Sequence, residues 1–210
     1  MYDSIFEYVK QALADNDYAT KNSPLPFRKR SEHIWRVYNW AKRLLKGNTF
    51  EIDINEESVL IAALFHDVGY CKPLEDTNHA ENSEMVFRKY AYEMSIDAER
   101  VEFISFLIRN HSNKDLLNNA STPIELVVLI EADLLDELGA LSILWDCMSE
   151  GGQSEQSYVN AYEHIKAYSS KITESNPMKT QKAKEIWKDK QKLVCEFVNH
   201  LVIDLALTEQ

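Results

Sequence analysis

Two imidazoles and two carboxylates of this sequence belong to residues that the apolar pattern places inside the protein. His66 and Asp67 follow the most apolar segment, ESVLIAALF, where burying a lone carboxylate would be costly. His33 is in helical phase with an apolar stripe, so its ring should face the interior. Asp133 lies within the apolar segment IELVVLIEADLL, where an acid needs a cation, several donors or a metal ion. Because of the imidazoles, this ligand set suits Mn²⁺, Fe²⁺, Co²⁺ or Ni²⁺ better than Mg²⁺.

Each of these residues alone has an ordinary structural explanation. A His-Asp pair can cap a turn, and a single core histidine usually donates to a backbone carbonyl. Together the four predict one metal site, and four protein ligands on a six-coordinate ion leave positions for water and a phosphate oxygen. The dispersed cysteines form no CxxC pair, so a thiolate zinc site is not expected; they are Cys71, Cys147 and Cys195.

Two further histidines lie beside apolar segments. His79 stands at the predicted start of a helix, and His111 directly follows the apolar run of another helix. Taken alone, each is typical of a loop or cap residue. Near a metal they gain a second interpretation, as groups that contact phosphate or transfer a proton.

The elements that must position these residues are helices. Apolar residues recur at helical spacing, alternating strand patterns are essentially absent, and only five Gly and five Pro occur. We predict an all-α bundle of about eight to ten helices forming a single domain over 1–210. The first predicted helices cover 3–15, a segment capped by Ser31 that stops near Gly47, and a segment from about Asn55 to Gly69. Further helices are predicted at 79–94 and 98–110, and another is opened by Thr122-Pro123 and interrupted at Gly139. Two C-terminal stretches at about 155–173 and 179–207 are expected to pack on the core.

Composition narrows the classes of partner. The net charge of −11 over 210 residues would repel a polymer of phosphates, so binding to DNA or RNA is not expected, whereas a small phosphorylated substrate in one pocket is compatible with it. No apolar run approaches the roughly 20 residues that span a bilayer. The start, MYDSIFEYVK, is not typical of a signal peptide, and three scattered cysteines are typical of a reduced compartment, so we expect a cytoplasmic protein without membrane contact.

The order of these residues resembles the signature of the HD superfamily of metal-dependent phosphohydrolases. The matching segments are EHIWRV at 32–37, ALFHDVGY at 63–70 and EADLLDELGAL at 131–141. With IRNHS at 108–112 they are similar to the small bacterial HD proteins that include nucleoside triphosphate pyrophosphohydrolases. The resemblance covers about 28–145. The last motif of that branch usually reads close to DADRLDALGA, and this chain departs from it at Glu131 and Leu134.

The resemblance implies a helical bundle with His33, His66, Asp67 and Asp133 as metal ligands. It also implies hydrolysis of a small phosphorylated substrate, a nucleotide in the nearest branch, by metal-activated water. Asp67 would then bind the metal and orient the attacking water, with His79 and His111 as further catalytic candidates. Three basic residues are candidates for holding substrate charge: Arg36, which is three residues from His33, and then Lys72 and Arg109.

Alternatives remain open at this stage. When His79 and His111 are added to the four ligands, the order of histidines and aspartates along the chain resembles that of dinuclear family members. Those enzymes are phosphodiesterases or di-iron oxygenases, so a second metal ion remains an alternative. Tyr70 stands where the dinuclear phosphodiesterases generally carry lysine, and we therefore favour one metal. A non-catalytic ligand-binding module is the third reading, and the C-terminal helices leave a homodimer open.

Overall fold

The computed structural model of the chain describes residues 1–15, 29–47, 49–50, 53–72 and 78–207. These residues form nine α-helices and no strand, which confirms the all-α prediction. Within the described part of the chain, every helix is too short or too polar to cross a membrane. The helices are α1 (Tyr2–Asp15), α2 (Arg30–Gly47), α3 (Glu56–Phe65), α4 (His79–Glu93), α5 (Ala98–Asn110), α6 (Ile124–Asp136), α7 (Ala140–Gly151), α8 (Tyr158–Ile165) and α9 (Gln181–Asp204).

Two predicted helix ends differ from the structure. The helix α2 begins at Arg30, so Ser31 is a helical residue and not the cap. The helix α3 ends at Phe65, and the 3₁₀ turn Val68–Cys71 follows it. Asp67 has φ −115° and ψ 6°, which interrupts the helix and carries its side chain away from the α3 axis. The apolar pattern could not show this break, because Val68 and Cys71 in the 3₁₀ turn are buried as well.

The chain divides into two compact units, Met1–Asp133 and Leu134–Gln210, which are described separately. That the whole chain forms one domain stays a prediction. In the first unit α3 is the central helix, with all residues from Ser58 to Phe65 buried. A helix without a polar face is stable only when other helices surround it, and α1, α2, α4 and α5 all pack against this one.

Two contacts fix the starts of α3 and α6 relative to each other. The side chain of Asn55 accepts a hydrogen bond from the backbone N–H of Ser58 at 3.0 Å and so caps α3. The backbone N–H of Asn55 in turn donates to the Glu125 carboxylate at 3.0 Å. Asp133 lies about two helical turns beyond Glu125, so this contact sets the position of α6 from which Asp133 projects.

An ion network joins α4 to α5. Arg88 donates to Glu84 at 2.9 Å within α4 and to both oxygens of Glu102 on α5 at 2.6 and 2.8 Å. A bidentate arginine–carboxylate pair has one preferred geometry, so it restrains the packing of the two helices. His79 is the first residue of α4 and His111 directly follows α5, and the network therefore also restrains both histidines.

The second unit contains α7 to α9. The interruption predicted at Gly139 is confirmed: its φ is 101°, a region that favours glycine, and a Cβ there would lie 3.1 Å from Lys190 Cγ. Lys190 donates to the Leu138 carbonyl at 2.7 Å. A π-helical turn, Lys166–Ser170, continues α8, and in it the backbone N–H of Ser169 donates to the buried Asp146 carboxylate at 3.3 Å.

Gly69 lies where the 3₁₀ turn meets the start of α4. A Cβ at this position would lie 2.0 Å from the backbone oxygen of His79 and 2.4 Å from the backbone nitrogen of Ser83. The Gly69 N–H donates to the Ser83 hydroxyl at 2.8 Å. Since the close neighbours are backbone atoms, only glycine allows α4 to approach the turn that carries Asp67.

We predict that Gly69→Ala lowers the free energy of unfolding by about 3 kcal/mol, because backbone must move to admit the methyl group. Chemical denaturation followed by circular dichroism measures this loss. Gly151→Ala is the matched control, since a Cβ at Gly151 meets no atom within 4 Å. Equal stability of the two variants would contradict the close approach at Gly69.

Candidate metal centre

His66 forms the innermost wall of the centre. It follows α3 directly and its side chain is fully buried. Its Nδ1 lies 2.8 Å from the Ala63 carbonyl oxygen, which can only accept, so Nδ1 carries the proton. Nε2 is thereby left with a lone pair that points at His33 Nε2, 3.2 Å away. Burial lowers the pKa of His66 to about 4, so the ring is neutral at neutral pH.

Two carboxylates complete this group. His33 Nε2 lies 3.3 Å from Asp67 Oδ2 and 3.3 Å from Asp133 Oδ1. His66 Nε2 lies 3.7 and 3.8 Å from the same two oxygens. Burial raises the pKa of Asp133, but the hydrogen bond with His33 and the charge that His66 gains when it is protonated in acid outweigh it and bring the value to about 2. Both imidazoles and an ionised carboxylate therefore converge on one buried point.

The donor chemistry of this group fits a divalent transition metal. Ligand atoms of His33, His66 and Asp133 all lie within 4.8 Å of one another, and all three residues are buried. Imidazole nitrogens and carboxylate oxygens are the ligands that Mn²⁺, Fe²⁺, Co²⁺ and Ni²⁺ share. The structure thus brings the four sequence-predicted ligands close together, and three of them, His33, His66 and Asp133, form a group able to hold a metal ion.

His79 and His111 face the other oxygen of Asp67. Their Nε2 atoms lie 3.6 and 3.5 Å from Asp67 Oδ1. His111 Nδ1 lies 2.7 Å from the Ile108 carbonyl oxygen, which leaves Nε2 for Asp67. His66, Asp67 and His111 form a second buried group able to hold a metal ion. Asp67 therefore stands between two sets of histidines, with one oxygen toward each.

The electrostatic environment keeps Asp67 ionised. Burial raises its pKa, but the charge that His66 gains when it is protonated in acid and the hydrogen bonds with His111 and His33 oppose this, and the result lies well below the usual range. The reverse effect acts on His111: burial lowers its pKa, the hydrogen bond with Asp67 raises it, and the net shift is upward. For His79 burial dominates and the pKa is lowered.

Arg30 belongs to this centre, although the sequence analysis did not single it out. Its Nη1 donates to Asp67 Oδ2 at 2.6 Å, and its guanidinium carbon lies 3.9 Å from the centre of the Tyr70 ring. Tyr70 in turn stacks on His79. The spacing held a usable signal, since Arg30 is three residues before His33 and shares its helix face. Placing the helix start at Ser31 left Arg30 outside the helix.

The three basic residues chosen from sequence lie in other surroundings. Arg109 is paired with the carboxylates of Glu81 at 3.1 Å and Glu84 at 3.2 Å. Lys72 lines a cavity of about 360 Å³, together with Tyr8, Gln11, Ala12, Cys71, Met85, Val86 and Lys89. Neither Asp67 nor any of the histidines around it lines this cavity. Arg36 is half-buried on α2. Their contact with a substrate stays a prediction.

Comparison with known families is consistent with this arrangement. The family model of the HD domain matches residues 30–138, which is more than half of the chain. The chain belongs to the HD domain family. The matched range of this HD protein contains all four predicted ligands together with Arg30, Tyr70, His79 and His111. No curated protein sequence matches it significantly.

Solved structures share the fold of this HD protein. An HD-superfamily hydrolase from Bacillus thuringiensis superposes with a TM-score of 0.70 at 19% identity, covering 99% of this chain and 97% of its own. YpgQ from Bacillus subtilis gives 0.69 at 20% identity with the same coverage, and its complex with ADP gives 0.64 at 20%, with 97% of each chain covered. A predicted HD superfamily hydrolase from an uncultured Thermotogales bacterium gives 0.63 at 20%, covering 97% of this chain and 92% of that one. The chain thus combines an HD-superfamily hydrolase fold with a His/Asp cluster able to hold a metal.

We predict that His33→Gln weakens Mn²⁺ binding by at least about 100-fold, because it removes an imidazole ligand from the group. Isothermal titration calorimetry with Mn²⁺ measures the change. His200→Gln is the matched control, since His200 is an exposed residue of α9. If both variants bind Mn²⁺ like the unaltered chain, the histidine cluster is not the metal site.

Proposed function

We propose that this protein is a metal-dependent phosphohydrolase that acts on a small phosphorylated substrate, and that this substrate is a nucleotide. The observation that carries the proposal is the convergence of the His33, His66, Asp67 and Asp133 side chains on one buried point. When bound there, a divalent cation polarises a phosphoryl oxygen and makes water more acidic. The chain's own residues must then hold the substrate, orient water and accept or donate protons.

Asp67 is suited to orient the attacking water. Its ionised carboxylate is fixed from both sides, by His33 and Arg30 at Oδ2 and by His79 and His111 at Oδ1. A carboxylate held this way can accept a hydrogen bond from water without reorganising during the reaction. Its mutation should therefore affect the reaction more strongly than loss of any single neighbour.

Arg30 is suited to hold the negative charge of the substrate. Its side chain is 18% exposed, so it can reach a substrate while solvent screens its charge only in part. Guanidinium groups match the geometry of phosphate oxygens. The Arg of the related motif is replaced by Leu134, whose side chain is buried. Arg30 offers the cationic group that Leu134 cannot supply.

His111 and His79 are suited to proton transfer at their Nε2 atoms. The carbonyl of Ile108 fixes the proton of His111 on Nδ1, so that Nε2 is the atom that gains or loses a proton beside Asp67. His79 is the more accessible of the two, with 22% of its side chain exposed against 2% for His111. We propose His79 as the residue nearer to the substrate.

The nucleotide assignment draws on a structural relative. YpgQ from Bacillus subtilis, which shares the fold, was solved in complex with ADP. A nucleotide places its phosphates at a cationic centre, and the pair of Arg30 with a bound cation would supply one within an acidic protein. This supports testing nucleotides first among phosphorylated metabolites.

We expect phosphate or pyrophosphate release when the protein is screened against nucleotides and other phosphorylated metabolites with Mn²⁺, Co²⁺, Ni²⁺ or Mg²⁺. With the best substrate, Asp67→Asn should lower kcat/KM by about 10³-fold, because the amide loses the charge that binds the cation and orients water. A colorimetric assay for released phosphate, with pyrophosphatase added, measures both quantities.

Asp115→Asn is the matched control, since Asp115 is exposed in the 3₁₀ helix before α6. It should retain full activity. No release from any substrate would contradict the proposal, and so would equal activity of the Asp67 and Asp115 variants. If metal and nucleotide binding both survive in Asp67→Ala, the non-catalytic binding module becomes the better reading.

A second candidate is a dinuclear enzyme on the same fold, either a phosphodiesterase or a di-iron oxygenase. The observation that favours it is the position of His79 and His111 at Asp67 Oδ1, opposite the oxygen that faces His33. A carboxylate between two such groups can bridge two cations. The number of bound metal ions separates this candidate from the mononuclear one.

We predict about one metal ion per chain after purification and reloading, because His79 and His111 act on substrate in the mononuclear proposal. Elemental analysis of the protein and of His111→Gln measures the stoichiometry. The mononuclear protein should keep the same metal content in both. Two ions falling to one in the variant would establish the dinuclear centre, and two irons with oxygen consumption would establish the oxygenase.

A further inference from the structure

Three aromatic or planar groups form a continuous stack beside Asp67. The guanidinium carbon of Arg30 lies 3.9 Å above the centre of the Tyr70 ring. Tyr70 and His79 are stacked with their ring centres 4.7 Å apart and their planes 11° from parallel. Tyr70 is thus the middle layer between a cation and an imidazole.

The two outer layers of this stack reach different oxygens of the same carboxylate. Arg30 Nη1 lies 2.6 Å from Asp67 Oδ2, whereas His79 Nε2 lies 3.6 Å from Asp67 Oδ1. One tyrosine ring therefore touches the groups on both sides of the central carboxylate. The Tyr70 ring thus links Arg30 to His79 without passing through Asp67 itself.

The backbone of Tyr70 is well suited to hold the ring in place. Its N–H donates to the Asp67 carbonyl oxygen at 3.3 Å within the 3₁₀ turn. The preceding Gly69 lies against the His79 carbonyl, so the turn and the start of α4 cannot shift independently. The ring is consequently fixed to the residues whose side chains it separates.

We propose that Tyr70 is a positioning residue that holds Arg30 and His79 at the two oxygens of Asp67, so that both address the same substrate phosphate. This inference rests on the proposed function, in which those two side chains contact the substrate. The face of the ring does the positioning, since stacking and cation–π attraction come from the π-system. Both contacts are made by the ring and not by the phenolic hydroxyl, so phenylalanine should preserve them.

Nuclear magnetic resonance tests the stacking of Tyr70 on Arg30 and His79, which the positioning requires, without any substrate. The ring current of Tyr70 should shift the ring protons of His79 and the Cδ protons of Arg30 upfield. Before Mn²⁺ is added, spectra of the unaltered protein and Tyr70→Phe should both show these shifts, and Tyr70→Leu should lose them. Six histidines make assignment practicable, with His79→Gln identifying the signals.

Phosphate binding tests the consequence. We expect the Kd of inorganic phosphate for the Mn²⁺-loaded protein to rise about tenfold in Tyr70→Leu and to stay within about twofold in Tyr70→Phe. In an Arg30→Met background, the effect of Tyr70→Leu should shrink, because one of the two positioned groups is gone. Tyr92→Leu is the matched control, since Tyr92 is 87% exposed.

The outcomes separate the two proposals. Retained shifts in Tyr70→Leu, or an unchanged phosphate Kd in that variant, would overturn the positioning role. Loss of both properties in Tyr70→Phe would overturn the assignment to the ring face. If the unaltered Mn²⁺-loaded protein neither binds phosphate nor hydrolyses any substrate, the proposed function fails, and the ring-current shifts still decide whether Tyr70 stacks on Arg30 and His79.

Discussion

The fold depends on keeping one carboxylate charged in an apolar interior. Asp67 is 4% exposed and directly follows a helix that is buried on every side. An isolated carboxylate there would be neutralised or would destabilise the fold, because its hydration is lost. Its neighbours prevent this: histidines face both oxygens, and Arg30 donates a short, charge-assisted hydrogen bond. The side chains around Asp67 are therefore a condition of its burial as well as candidates for chemistry.

Helix ends supply most of these neighbours. His66 directly follows α3, His79 begins α4, His111 follows α5, and His33 lies in the first turn of α2. At the ends of α3 and α5 a histidine donates its Nδ1 proton to the carbonyl three residues earlier, which ties the ring to the last turn. The Nε2 atoms of His66 and His111 are thereby aimed at the centre. The irregular backbone lies at Asp67, after α3 has ended, and not within that helix.

Residues whose types conflict with an apolar environment can be recognised in the sequence alone. Asp133 and the His66-Asp67 pair stand out for this reason, and the bounds of α5 follow from apolar periodicity alone. Contacts that depend on long side chains were not accessible in the same way. Arg109 reaches Glu81 and Glu84, whereas Arg30 reaches Asp67, and both are arginines near a helix end. The two arginines differ because α5 packs against α4, which brings Arg109 to its glutamates, and α2 packs against the 3₁₀ turn, which brings Arg30 to Asp67.

The charge balance of the centre argues for a phosphate substrate despite the acidic surface. Asp67 and Asp133 are ionised, His66 is neutral and Arg30 contributes one positive charge. Protonation of His111, whose pKa is raised, adds at most one more, so these five side chains carry no net positive charge on their own. A single divalent cation would make the sum positive, which attracts an anion into a pocket of a protein whose net charge is −11. An anion would then be attracted only to the centre that holds the cation. The remaining acidic surface would repel an extended polyanion, whereas the centre would accept a small anion.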